Sequence, residues 1–193
     1  MICQQLSECI ENLEKQKVES AGKKGNKKEA KIILKNYPCN DSTRVDNCIE
    51  YFDNRQKPGC SEKGKSYILD IGPHPFDCAC VHIDGGVVDT KECRKCDFAF
   101  FLSDSGHRVI LVELKGSAVR DALEQLKLTL YMDELQNSFI GKRIYGRIAC
   151  TSSVPKIYTK DQLALQKEFL KHNGNLKIGK ASFIEQYDSL DKT

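Results

Sequence analysis

The sequence predicts an α/β fold in which a central mixed β-sheet is flanked by helices, and three observations predict it. Residues 108–114, RVILVEL, are the most apolar strand-like run in the chain. Turn signals at Asp84-Gly85 and at residues 103–106 separate it from other strand-like runs. After Gly116 the apolar period changes from that of a strand to that of a helix. The core order read this way is helix, strand, strand, strand, helix, strand (αβββαβ), with the hairpin strands in the middle.

Each element has its own signal. In residues 4–18, Leu6, Cys9, Ile10 and Leu13 recur at helical spacing. Residues 19–28 carry Gly22, Gly25, Lys23, Lys24, Lys27 and Lys28, a flexible loop with a basic tip. A short apolar stretch, 30–34, follows. Asn40-Asp41-Ser42 suits a helix start, because such side chains accept orphan backbone N–H groups. Val45, Cys48, Ile49 and Phe52 then mark one helical face, ending before Pro58-Gly59. Strands are predicted at 66–71 and 78–83, separated by Gly72-Pro73-His74-Pro75. Asp84-Gly85 is a hairpin turn from which Val87-Val88 begins a return strand. Residues 96–102 and 108–114 complete the strand group. Val119, Ala122, Leu123, Leu126 and Leu130 form one stripe of a helix over 117–135. Residues 143–150 read as a strand, 160–172 as a helix and 176–184 as a final peripheral strand. The organisation is a single domain: a helix and basic loop at 1–39, a core at 40–155 and a C-terminal helix and strand at 156–193.

Composition sets the bounds. A chain of 193 residues with 40% hydrophobic content fills one core, and 30% charged residues solvate its surface. A formal net charge of +3 excludes a polycation but leaves room for a basic patch. No apolar run reaches the about 18 residues of a membrane span. The first 13 residues mix Gln, Ser and Glu and do not resemble a secretory signal. The expectation is a cytoplasmic protein with no membrane partner. Ten cysteines then read as free, mostly buried thiols, since the cytosol keeps thiols reduced. The alternative is a structural Zn2+ or an iron–sulfur cluster. Cys93-Arg94-Lys95-Cys96 has ligand spacing, and Cys78, Cys80 and His82 alternate onto one face of the preceding strand. His74 and His107 fall in turns, where solvent is their natural partner.

The chemistry lies on two neighbouring strands. Side chains alternate along a strand, so Val109, Leu111, Glu113 and Lys115 share one face. A carboxylate and an ammonium at the end of so apolar a strand are costly to bury without partners. The turn at 103–106 makes the two strands antiparallel, which brings Asp97 beside Glu113 and Lys115. Two carboxylates at one point suit Mg2+ or Mn2+, with the Leu114 carbonyl as a third oxygen. A metal there would acidify water and clamp a phosphate, with Lys115 steering the water or neutralising charge. Arg94, Lys95, Arg120, Lys142, Arg143 and Arg147 flank the site. With the Lys23, Lys24, Lys27 and Lys28 arm they are candidates for phosphate contact without base reading.

Asp97, fifteen intervening residues and then Glu113-Leu114-Lys115 resembles the PD-(D/E)XK, or restriction-endonuclease-like, nuclease superfamily. Cys96-Asp97-Phe98-Ala99-Phe100 is similar to its second core strand, and residues 109–116 to its third. The resemblance covers about residues 40–155; Cys96 stands where the family usually has proline. It implies a restriction-endonuclease-like core and Mg2+-dependent hydrolysis of DNA leaving a 5′-phosphate. It also implies an acid from the first helix. Glu50 is the choice on residues 40–57, with Glu8 and Glu11 as alternatives on the N-terminal helix. Some exonuclease-like branches carry Gln at the position of Gln125, followed by Tyr where this chain has Thr129. The expected setting is bacterial or phage-related defence or DNA processing. The expected partner is nucleic acid, DNA first, with a homodimer or partner protein left open. Two rival readings are a catalytically silent nucleic-acid- or partner-binding module and a zinc- or cluster-bearing redox sensor.

Overall fold

The computed structural model describes residues 49–74, 76–88, 92–151 and 159–192. Its strands are β1 (Ile49–Asp53), β2 (Gly59–Glu62), β3 (Lys65–Asp70), β4 (Cys78–His82), β5 (Phe98–Leu102), β6 (Arg108–Lys115), β7 (Arg143–Cys150), β8 (Leu176–Lys180) and β9 (Ser182–Gln186). The α-helices are α1 (Val119–Leu130), α2 (Asp133–Phe139) and α3 (Lys160–Lys171). The protein is therefore α/β with a mixed sheet.

Six strands form the main sheet in the order β1-β4-β5-β6-β7-β8. β1, β4, β5 and β6 pair antiparallel, whereas β6, β7 and β8 are parallel. Parallel neighbours need a crossover, and helices supply both: α1 and α2 between β6 and β7, α3 between β7 and β8. A second sheet, β2-β3-β9, covers the other face. Both faces of β6 are thus covered, which is why residues 109–114 are buried without polar alternation.

Two cores follow. One joins Leu123, Leu126, Leu130 and Phe169 of the helices to Val109, Leu111, Ile144 and Ile148 of the sheet. The other joins Tyr67 and Leu69 of β3 to Phe100, Ile110, Val112 and Tyr145. Gly146 lets α3 approach, since a Cβ there would stand 2.5 Å from the Phe169 ring. Truncating a central residue such as Leu126 to Ala should cost about 2–5 kcal/mol.

Several predicted elements are corrected. The helix expected around 40–57 is, over Ile49–Asp53, the edge strand β1; Val45 and Cys48 lie outside the described residues. Ile49, Tyr51 and Phe52 are buried against β4, and the Tyr51 hydroxyl exchanges hydrogen bonds with the Gly59 backbone at 3.0 and 2.8 Å. β2 was not expected at all. Val87 and Val88 form no strand: their N–H groups fold back onto the carbonyls of His82 and Ile83 at 2.9 and 3.0 Å, closing a compact turn. The helix expected over 117–135 breaks at Tyr131-Met132 into α1 and α2. The single strand expected over 176–184 is two strands in different sheets, because the chain turns at Ala181. The helix at 4–18, the loop with Lys23, Lys24, Lys27 and Lys28, the stretch at 30–34, Glu8 and Glu11 lie outside the described residues.

Candidate active site

β5 and β6 pair with Phe98 opposite Val112, so Asp97, one residue earlier, falls level with Glu113. The Leu114 N–H donates to Asp97 Oδ2 at 2.7 Å, which ties the start of one strand to the end of the next. Lys115 Nζ stands 3.7 Å from Glu113 Oε1. The structure thus gathers Asp97, Glu113, Lys115 and the Leu114 backbone at the carboxyl end of β6, where the antiparallel register places them.

Gln125 joins this group from α1. Lys115 Nζ donates to its Oε1 at 2.7 Å, and its Nε2 donates to the Lys95 carbonyl at 2.9 Å. Both ends of the amide are therefore fixed. One turn later Thr129, fully buried, accepts from the Cys96 N–H at 2.7 Å and donates to the Gln125 carbonyl at 2.8 Å. Thr129 was missed as a site residue. Its helical spacing from Gln125 was the available signal, since residues four apart share a helix face.

The electrostatics are those of crowded carboxylates. Glu113 is 1% exposed, and its Oε2 has no hydrogen-bond partner among the described residues. Burial, then the charge of Asp97, pushes its carboxyl up to about 8, against the pull of Lys115. Burial likewise pushes Asp97 up to about 6; the Leu114 N–H opposes this, while Glu62 and Asp84 add to it. Neither Glu62 nor Asp84 was singled out as a site residue. Glu62 ends β2 and Asp84 lies in the turn after β4, and their approach to Asp97 depends on tertiary packing.

Other candidates are placed elsewhere. Glu50 is on a strand, not a helix; its Oε2 lies 3.5 Å from His82 Nε2 and accepts from Cys80 Sγ at 3.6 Å. It does not form a three-acid group with Asp97 and Glu113. Among the described residues no group of three or more His, Cys, Asp or Glu side chains is set to hold a metal ion. Cys78 and Cys80 lie in the core under the second sheet and Cys96 in the core under the helices, so the main sheet separates them; Cys93 is exposed. Burial pushes the thiols of Cys78, Cys80 and Cys96 up, which disfavours thiolate chemistry. Among the described residues the cysteines form no disulfide with one another. His74 is not simply solvated: its Nε2 lies 3.3 Å from Asp188 and its ring packs 4.8 Å from that of Tyr187. His107 sits in a turn with φ +46°.

The cations divide. Lys95 is only 2% exposed and pairs with Asp84 at 3.1 Å, so it is not a surface contact for phosphate. Arg147 is fully buried and bound to Glu185 at 2.5 Å, which removes it from any substrate surface. Lys142 and Arg143 stand at the opposite end of the sheet, where Arg143 pairs with Arg108. Arg94 and Arg120 are exposed, with Glu124 at 2.5 Å and Asp161 at 3.6 Å respectively.

Among the described residues no helix is long and apolar enough to cross a membrane. Comparison with protein-family models, curated proteins and solved structures found no match to this chain.

Proposed function

We propose that this protein is a metal-dependent nuclease that hydrolyses phosphodiester bonds of DNA, built on a restriction-endonuclease-like core. The observation that carries the reading is Glu113 Oε2. It is a buried carboxylate oxygen without a hydrogen-bond partner among the described residues, beside a second carboxylate and 3.7 Å on its other oxygen from an ammonium. Burial of such a group is costly unless a cation completes it. The order of β4, β5, β6, α1 and β7 supports the core assignment: three antiparallel strands, a helix and a parallel strand.

The donor set fits Mg2+ or Mn2+: Asp97 and Glu113 would hold the ion, with the Leu114 carbonyl as a third hard oxygen. When bound, such an ion supplies Lewis acidity toward a phosphate oxygen and makes an attacking water more acidic. The chain's own residues do the rest. The Leu114 N–H fixes the Asp97 carboxylate. Gln125 holds Lys115 in one orientation, close to the carboxylates, where its ammonium orients water and offsets charge growing on the phosphate oxygens. Water oxygen bonds to phosphorus, the bond from phosphorus to the 3′ oxygen breaks, and the product carries a 5′-phosphate. Cytoplasmic DNA processing, or defence in a bacterial or phage-related setting, is the role proposed for such an activity.

The test is incubation of the purified protein with supercoiled and linear duplex DNA in Mg2+, Mn2+ or EDTA. Nicked or shortened products that appear with either ion and vanish in EDTA support the reading. Tight binding of the duplex without turnover under every condition would make the chain a silent binding module instead.

A further inference from the structure

The β2–β3 hairpin reaches the same end of the molecule as Asp97, Glu113 and Lys115. β6, β7 and β8 finish level with one another, with Lys115 paired to Cys150 and Cys150 to Lys180. β9 starts two residues later, at Ser182, and β3 runs parallel to it with Ser66 opposite Ser182. The Ser66 N–H donates to the Ala181 carbonyl at 2.7 Å. The turn Lys63-Gly64, which joins Glu62 to Lys65, therefore stands at the carboxylate end of the sheet, on the face away from α1. The charges agree: Glu62 is felt at Asp97, and Asp97 at Lys63.

The tip is built unusually. Lys63 and Gly64 have φ of +47° and +75°, the left-handed pair of a two-residue hairpin turn. The first position of such a turn ordinarily takes Asn, Asp or Gly, because a Cβ is disfavoured there. A lysine held at such a position is an outlier from which a functional role can be argued. Its side chain is 80% exposed, and its partner Glu62, at 2.7 Å, is half-buried with 41% of its side chain exposed. Exposed pairs of this kind are weak and exchange readily for another anion. Lys65 Nζ donates back to the Lys63 carbonyl at 3.2 Å, which keeps a second ammonium at the tip. Lys180, exposed at the end of β8, continues the row along the same edge.

We propose that the β2–β3 tip is a phosphate-gripping finger: Lys63 and Lys65, with Lys180 beside them, hold the DNA backbone on the flank of the site opposite α1. The proposal rests on the nuclease reading and assigns the substrate's path across the sheet end. Cations placed this way bind backbone phosphates without reading bases.

Fluorescence anisotropy with a labelled DNA duplex tests it, using Glu113→Gln protein in Mg2+ so that the duplex stays intact. In that background Lys63→Asn with Lys65→Gln removes both charges and keeps a residue suited to the turn. Affinity should fall roughly tenfold or more at about 0.1 M salt, and the slope of log affinity against log salt should flatten by roughly 2. Lys57→Gln, at the far end of the same hairpin, should change neither, and both variants should melt with the parent. If the parent binds and wild type cleaves, yet the tip variant keeps affinity and slope, the finger is overturned and the nuclease reading stands. A parent with no affinity for the duplex, together with a wild type that does not cleave it in Mg2+ or Mn2+, overturns both. Tighter binding of an RNA duplex of the same sequence overturns the assignment to DNA.

Discussion

Lys115 Nζ donates to Gln125 Oε1 at 2.7 Å, so the last residue of β6 and a residue of α1 are tied by their side chains. The helix is in turn fixed to the segment before β5 through the Lys95 carbonyl. The ammonium beside Glu113 is thereby oriented by a helix, a strand and a loop together.

Replacing Gln125 with Leu should therefore slow cleavage by roughly tenfold, on the scale of a group that positions a participant in acid–base or charge-stabilising chemistry. Substrate binding should change little, so the loss should appear in kcat more than in KM. Gln125→Glu, which retains an acceptor for Lys115, should recover part of the rate. A Gln125→Leu enzyme with unchanged kcat would leave the amide a purely structural link.

Stability should depend on pH through the two carboxylates. Glu113 is pushed up to about 8 from 4.5 and Asp97 to about 6 from 3.8, so the folded chain holds protons that the unfolded chain has released. Where the folded state binds more protons, stability falls as pH rises. The contribution is favourable at about pH 4–5 and lost through about pH 8. In EDTA the melting temperature should drop between about pH 5 and 8.5, and Mg2+ should restore more at the higher value, as expected if it binds the ionised pair. Glu113→Gln should flatten both trends. Equal drops in wild type and Glu113→Gln would assign the pH dependence to other groups.

Thr129→Val keeps shape but leaves the buried Cys96 N–H without its acceptor, 2.7 Å away in wild type. An unsatisfied buried donor costs about 1–3 kcal/mol. Denaturant unfolding should show that loss, and Thr129→Ser should regain most of it. The segment leading into Asp97 is anchored here, so cleavage should fall along with stability.

These residues differ in how far the sequence revealed them. The Asp97, Glu113 and Lys115 cluster was legible because a short turn forces antiparallel pairing, and side-chain alternation then fixes faces. β4, β6, α1, β7 and α3 were legible because their apolar periods are long or pure. β1 was not: Val45, Cys48, Ile49 and Phe52 fit a helical face, and only the pairing of residues 49–53 with residues 78–81 decides. β9 was hidden because a continuous pattern over 176–184 crosses between two sheets at Ala181. The buried cations Lys95 and Arg147 looked like surface charges because their partners, Asp84 and Glu185, are brought in by tertiary packing.

Arg147 illustrates the cost of such burial. Its guanidinium meets Glu185 at 2.5 and 3.0 Å, and the Tyr67 hydroxyl donates to the same carboxylate at 3.0 Å. Arg147→Leu should destabilise by up to about 3–5 kcal/mol, because it leaves a buried carboxylate short of its main partner. Lys177 Nζ, 3.0 Å from Glu185, will retain part of that. Arg147→Leu with Glu185→Leu should unfold at denaturant concentrations closer to wild type than the single variant does. A double variant weaker than the single one would show the pair to be worth more than its burial costs.

The most direct test of the account is the single-turnover cleavage rate of a DNA duplex in Mg2+ for wild type and Glu113→Gln, read beside their melting temperatures. Wild type should cleave only with metal, and the variant should lose roughly a hundredfold or more, as expected if Glu113 holds the ion. The variant should melt no lower than wild type at about pH 8, where it is relieved of a buried charge. Cleavage by Glu113→Gln at the wild-type rate would contradict the assignment of Glu113 to the active centre.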